Sequence, residues 1–174
     1  MDRTIFAVDP GNNESAFVVV LVENEKIKKV VATGKVENKN LLFKTEYYAT
    51  AGAEIVIEMI ASYGMPVGKS VFETCVCIGR IIETARHSCA DVAISFIYRK
   101  DEKIEICGTM KAKDANIRQA LIDKYAPDIP NKGKGTKNNP GFFHGFADDM
   151  WQAFAVAETY LSKTSRGEIL EVIN

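Results

Sequence analysis

Long apolar runs, zinc-type cysteine spacing and a strong charge of one sign are all missing from this 174-residue chain. The longest apolar run near the start, Ala16 to Val22, falls far short of the roughly 20 residues that a membrane-spanning helix needs. The opening Met1-Asp2-Arg3 lacks the basic-then-apolar plan of an export signal, so the expected location is the cytoplasm, with no membrane partner. Four cysteines (Cys75, Cys77, Cys89, Cys107) with His87 and His144 raise the idea of zinc. There is no C-x-x-C pair, however, and Cys75 and Cys77 fall on different faces of a helical segment. Buried, reduced thiols are expected instead, and no disulfide framework.

A net charge of −1 by itself counts against nucleic acid as a partner. The charge is unevenly spread. From Arg99 to Lys137, ten Lys/Arg stand against six Asp/Glu, so that stretch carries +4 and the remainder −5. Such bias arises by accident on helix faces, and it matters only if it lies beside the chemistry. The apolar fraction of 47% and charged fraction of 26% are those of an ordinary globular protein. The length is that of one domain, expected over 1–162 with a loosely held tail over 163–174.

The order of elements is readable. Thr4 to Val8 is a strand stopped by Asp9-Pro10-Gly11-Asn12-Asn13, and Ala16 to Val22 and Ile27 to Val36 are further strands with Asn24 in the turn between them. Lys39 to Thr50 has helical spacing, and Ile55-Val56-Ile57, apolar on successive positions, is a strand buried on both faces. Gly68 to His87 is a long helix with more apolar face than one sheet needs. It carries a stripe of Val71, Cys75, Ile78 and Ile82, widened by Phe72, Val76, Gly79 and Ile81. A fifth strand (Val92 to Ile97) precedes a short basic helix (Arg99 to Cys107) and a second helix (Lys113 to Tyr125). Pro127 to Gly141, rich in Gly, Pro, Asn and Lys, reads as a flexible loop, and a last helix runs from about Asp148 to Leu161. Three meander strands, then two strands alternating with helices, is the order of an α/β, RNase H-like fold. It predicts a five-stranded mixed sheet, with a three-strand antiparallel meander and two parallel strands, flanked by helices.

In that order Asp9 ends the first strand, Glu58 the fourth, and Asp148-Asp149 opens the last helix. Strands one and four would be adjacent, which sets Asp9 beside Glu58. Clustered carboxylates repel unless a cation lies between them, and oxygen donors of this kind suit Mg²⁺ or Mn²⁺. Two such ions, roughly 4 Å apart, can activate a water and stabilise the leaving oxygen of a phosphodiester. Each acid also has a plain structural use: Asp9 before Pro-Gly starts a turn, and Asp148 or Asp149 caps a helix. Glu58 is the hardest to explain that way, because it interrupts an apolar run with no turn residue beside it.

These segments resemble the RuvC-like Holliday junction resolvases, especially those of bacteriophages. "FAVDPGNNESAFVVV" resembles the family's first motif, "VIEMI" with the later "CIGRI" the second, and "DMWQAFAVA" the third. "YRKDEKIEICGTMKAKDANIRQALIDKY" is similar to the segment that carries the family's essential lysines. The resemblance spans about residues 4 to 161. It implies metal-dependent cleavage of branched DNA, with Asp9, Glu58 and Asp149 as catalytic metal ligands and Lys103 close to the scissile phosphate. Lys111 and Lys113 fall near a second family lysine, although Asp114 could occupy the matching position. Gln152 stands where the family usually has another aspartate, a departure for which Asp148 or His144 could compensate. Tyr63 could unstack a base at the junction or simply pack a loop. DNA contacts are expected from Arg118 and from Lys132, Lys134 and Lys137 in the loop.

The resemblance further implies a homodimer, which the broad apolar face of helix 68–87 independently supports, and a host cytoplasm if the gene is a phage's. The alternative within this reading is a branched-DNA-binding protein with weak or broad nuclease activity. An actin-like nucleotide-binding domain is disfavoured, because the chain is about half of what two such lobes require and has no second phosphate loop. No nucleotide cofactor is expected.

Overall fold

A computed structural model describes residues 3–62 and 64–168. The elements run β1 (Arg3–Asp9), β2 (Glu14–Glu23), β3 (Lys26–Glu37), α1 (Asn38–Thr50), β4 (Glu54–Met59), α2 (Lys69–Ser88), β5 (Ile94–Tyr98), α3 (Arg99–Cys107), α4 (Asp114–Tyr125) and α5 (Met150–Ser165). They form one sheet in the order β3-β2-β1-β4-β5. β1–β2 and β2–β3 are antiparallel, and β1–β4 and β4–β5 are parallel. This is the mixed five-stranded sheet expected from the sequence.

Alternation along the central strands divides the core into two layers. Ile5 and Ala7 of β1, Ala16 and Val18 of β2 and Val56 of β4 pack on one face, against Phe154, Ala157 and Leu161 of α5 and Ile117 and Leu121 of α4. Phe6 and Val8 of β1 and Ile55 and Ile57 of β4 pack on the other, against Leu41 of α1 and Ile78, Ile81 and Ala85 of α2. A strand covered on both faces reads as a continuous apolar run, which is why Ile5–Val8 and Ile55–Ile57 carry no polar residue. No helix among the described residues is long and apolar enough to cross a membrane.

The structure departs from the sequence reading in several places. The Pro127–Gly141 segment is an ordered loop. Gly135 pairs with Pro140, the Gly141 N–H donates to Lys134 O at 2.9 Å, and the Phe143 N–H donates to Gly133 O at 3.0 Å. α5 runs four residues past Leu161, and the chain after it stays attached to α3. Ser162 Oγ donates to Glu105 at 2.6 Å and Arg166 Nη2 to Glu105 at 2.9 Å, which ties the end of α5 and the start of the tail to α3. The remaining tail, 169–174, and Tyr63 lie outside the described residues.

All four cysteines are free, but only Cys77 is buried; Cys89 and Cys107 are half-buried and Cys75 is exposed. The exposure of Cys75 follows from how α2 packs. The face of α2 against the sheet is Thr74, Cys77, Ile78, Ile81, Ile82 and Ala85, while Phe72, Cys75, Val76 and Gly79 lie on the outside. The apolar stripe that looked single is two, one for the sheet and one left over.

Candidate active site

Strand register explains how the acids meet. Val8 pairs with Ile57 in the parallel β1–β4 ladder, so the next residues, Asp9 and Glu58, end neighbouring strands side by side. Alternation puts Asp9 on the face of Ile5 and Ala7, and Glu58 on the face of Val56, which is the face α5 covers. β5 pairs with β4 through Glu58↔Ile97 and Met59↔Tyr98, so Arg99 emerges at the same edge as the first residue of α3. Asp9, Pro10, Glu58, Met59, Ile60 and Arg99 line a cleft of about 220 Å³ there.

Asp9 and Glu58 are close enough for each to perturb the other's ionisation. Burial, and after it the Glu58 charge, pushes the Asp9 pKa up to about 8. Burial likewise lifts Glu58 to about 7, with Glu102 as its strongest charged neighbour and Arg99 opposing. The charge of Asp149 also reaches Asp9 and raises its pKa further.

Asp149 lies at the N-cap position of α5, and Asp148 before it adopts a left-handed backbone (φ 40°), a conformation that Asp and Asn tolerate better than most residues. The helix therefore opens at Met150, two residues later than the sequence indicated. Asp148, Asp149 and Gln152 line a second cleft of about 230 Å³ together with Asp114, Arg118 and Trp151. Arg99 joins the two clefts, since it lines the first and is ion-paired with both Glu102 and Asp114.

Three charged groups here were not singled out in the sequence. Arg99 is the cation lining the Asp9–Glu58 cleft; Lys103, one turn further along α3 and half-buried, is outside that lining. Glu102 is fully buried, with one oxygen held by Arg99 and the other, Oε1, without a partner. Lys35 of β3 donates to Asp149 Oδ2 at 2.6 Å. It lies in one cross-sheet row with Ala16 and Asp9, which places its ammonium group on the acids' face.

The acids are thus paired with one another and with cations. Among the described residues, no group of three or more His, Cys, Asp or Glu side chains stands in a metal-holding arrangement. His144 is exposed, its Nδ1 3.3 Å from the Lys134 carbonyl, tied to the loop rather than to the acids. Lys111 and Lys113 are exposed at the start of α4, Arg118 is half-buried in the second cleft, and the loop presents Lys132 and Lys137 fully and Lys134 partly to solvent. Of the basic stretch, Arg118 lines the cleft of Asp148 and Asp149, and Lys113 immediately precedes Asp114 of the same cleft.

No protein-family model matches the chain, and no curated protein matches it in sequence. Solved structures do match. RuvC of Thermus thermophilus superposes with a TM-score of 0.69 at 14% identity, over 99% of this chain and 100% of that one. T. thermophilus RuvC in complex with a Holliday junction substrate gives a TM-score of 0.70 at 11% identity, over 98% and 99%. The chain therefore has the RNase H-like fold of RuvC, along the whole length of that protein.

Proposed function

We propose that this chain is a divalent-metal-dependent endodeoxyribonuclease that cuts branched DNA, Holliday junctions foremost, and works as a homodimer. The observation that carries the reading is the Asp9–Glu58 pair at the shared end of two parallel strands, with Asp149 acting on it from α5. The donor chemistry fits a hard cation. All the candidate ligands are carboxylate oxygens, and burial disfavours the charged forms of Asp9 and Glu58 as they stand. Asp9, Glu58 and Asp149, with Asp148 adjacent, would hold Mg²⁺ or Mn²⁺, and two ions so held would activate water and stabilise the leaving oxygen.

The chain's own residues divide the remaining work. Asp9 and Glu58 lose their protons and present charged oxygens to the cleft. Arg99 and Lys103, on successive turns of α3, set positive charge toward a phosphate entering it. Lys111, Lys113, Arg118, Lys132, Lys134 and Lys137 bind backbone phosphates, which orients the DNA without reading its bases.

A labelled four-way junction incubated with and without Mg²⁺ or Mn²⁺, beside three-way and linear DNA, tests this reading. We expect metal-dependent cuts in the four-way junction. Asp9→Asn and Glu58→Gln should each abolish cutting while binding survives, because a ligand is lost and the phosphate contacts remain. A variant that cuts normally refutes the site. One alternative has its own support: Gln152 in an acid's place and Asp149 held by Lys35 fit a branched-DNA-binding protein with weak or broad nuclease activity. Binding without metal-dependent cutting by the wild type would select it.

A further inference from the structure

The turn that follows Asp9 is held by two buried side chains from other elements. Ser15 of β2 is 1% exposed, and Asn38, the first residue of α1, is 8% exposed. Asn38 Nδ2 donates to the carbonyls of Gly11 at 3.0 Å and Asn12 at 3.1 Å, and its backbone N–H donates to Asn13 O at 3.0 Å. Ser15 Oγ donates to Asn38 Oδ1 at 2.7 Å and accepts from the Gly11 N–H at 3.1 Å. Every donor in this ring meets an acceptor, and turning the Asn38 amide over would set its oxygen against two carbonyl oxygens. An asparagine at a helix start can serve the helix, but α1 has no side-chain cap and this amide is committed to the turn. Gly11 leaves the turn no slack, since a Cβ there would lie 2.2 Å from Glu14 O. Between Gly11 and Asp9 stands Pro10 with its fixed φ, so a clamp on Gly11 reaches Asp9 through few free torsions. Asp9 and Pro10 both line the acidic cleft.

We propose that Asn38, with Ser15, is a positioning residue for the cleavage reaction, fixing where the Asp9 carboxylate and the Pro10 wall stand relative to Glu58. The proposal deepens the nuclease reading above and rests on it. On this view Asn38 acts through Asp9 and contacts neither DNA nor metal itself. The β1–β2 ladder closes at Asp9↔Ala16, so loss of the two bonds from Nδ2 leaves the sheet paired and frees only the cleft wall beyond it. A displacement of about 1 Å at a reacting group can lower a rate roughly 100-fold.

The test compares Asn38→Asp and Ser15→Ala with the wild type and with Thr45→Ala, all as the full chain. Asn38→Asp keeps the side chain's shape and the acceptor for Ser15 but replaces the donor that holds the turn. Ser15→Ala leaves Asn38 in place and removes its link to the Gly11 N–H. Thr45 is fully buried in the same helix and its hydroxyl donates to Leu41 O, so Thr45→Ala lowers stability without touching the turn. Cleavage of a four-way junction is measured well below every melting temperature, and Mn²⁺ binding to the metal-stripped proteins by calorimetry. Both turn variants should lose at least about tenfold in kcat with KM within about twofold of the wild type, and bind Mn²⁺ about tenfold more weakly. Thr45→Ala should keep the wild-type kcat and Mn²⁺ affinity. Turn variants that match Thr45→Ala in both quantities overturn the proposal, leave the nuclease reading standing and assign Asn38 to stability alone. A rise in KM with kcat unchanged overturns it equally. A wild type that neither cuts nor binds Mn²⁺ overturns both. Should Asn38→Asp fail to fold, Ser15→Ala decides by the same two measurements.

Discussion

Burial makes both Asp9 and Glu58 costly to ionise, and the Glu58 charge adds to the cost at Asp9, which has a consequence for stability. Their pKa values lie above the ordinary 3.8 and 4.5, at about 8 and about 7. A group whose pKa is raised by folding contributes stability that is complete below its unfolded pKa and is lost as the pH rises through the folded one. The metal-free protein should therefore become less stable between about pH 4 and pH 8, with a fall in melting temperature on the order of 5 °C. Mn²⁺ or Mg²⁺ should reverse most of that fall at the alkaline end, because a bound cation compensates the charged carboxylates. Melting curves across this range, with chelator and with metal, measure both effects. A flat profile with chelator would mean that the acids ionise without cost. Asp9 and Glu58 were legible in the sequence because each interrupts or ends an apolar run. Glu102 was not: in Arg99-Lys100-Asp101-Glu102-Lys103 every position is charged, and only the packing of α3 distinguishes the buried glutamate from its half-buried and exposed neighbours. Lys35 was hidden for a similar reason, since a lysine on an edge strand reads as an ordinary solvent-facing residue until the register sets it opposite Asp149.

At the scale of elements, the segment between α4 and α5 shows how composition misleads. Gly, Pro, Asn and Lys between two helices look like a mobile linker. Here the glycines permit close approach instead. Gly133 has φ 78°, and a Cβ built there would lie 2.8 Å from both Ala126 Cβ and Phe143 Cδ2. Beneath the loop, Phe143 packs against Phe146, Trp151 and Phe154, so the loop has an aromatic floor continuous with α5. The strands and helices themselves were legible, because periods of two and 3.6 survive in any sequence that buries one face. A turn defined by left-handed glycines leaves no such period. Gly133→Ala should cost roughly 2 kcal/mol or more, combining backbone strain with overlap against Phe143. It should also weaken junction binding, because Lys132 and Lys134 flank the strained position. Urea unfolding and filter binding on the same variant measure the two effects. Normal stability would show that the loop yields at little cost.

For the whole molecule, the leftover stripe of α2 decides the proposed assembly. Phe72 is 61% exposed and Val76 64% exposed, in line with exposed Cys75 and with Gly79, where a Cβ would meet nothing within 4 Å. Surplus apolar surface on this helix was legible from its composition, but merged with the stripe that packs on the sheet. Only the register of α2 against β4 separates them. Covering Phe72 and Val76 would contribute roughly 1.5–3 kcal/mol per side chain. A two-fold axis through α2 would bury each of them twice, and a smooth surface at Gly79 lets two helices approach closely. It would also give the assembly two acidic clefts, as symmetric cutting of a four-way junction requires. We expect the wild type to sediment as a dimer at micromolar concentration and Val76→Asp to sediment as a monomer with an unchanged fold by circular dichroism. The monomer should nick junctions singly and lose paired cuts, because its own Asp9, Glu58 and Asp149 are intact while the second cleft is no longer held in step. Mild oxidation offers an independent reading: near the axis, Cys75 of two copies should form a disulfide-linked dimer in the wild type and not in Val76→Asp. Sedimentation of the wild type as a monomer, alone and with junction DNA, would refute this assembly and leave the stripe on α2 to some other partner.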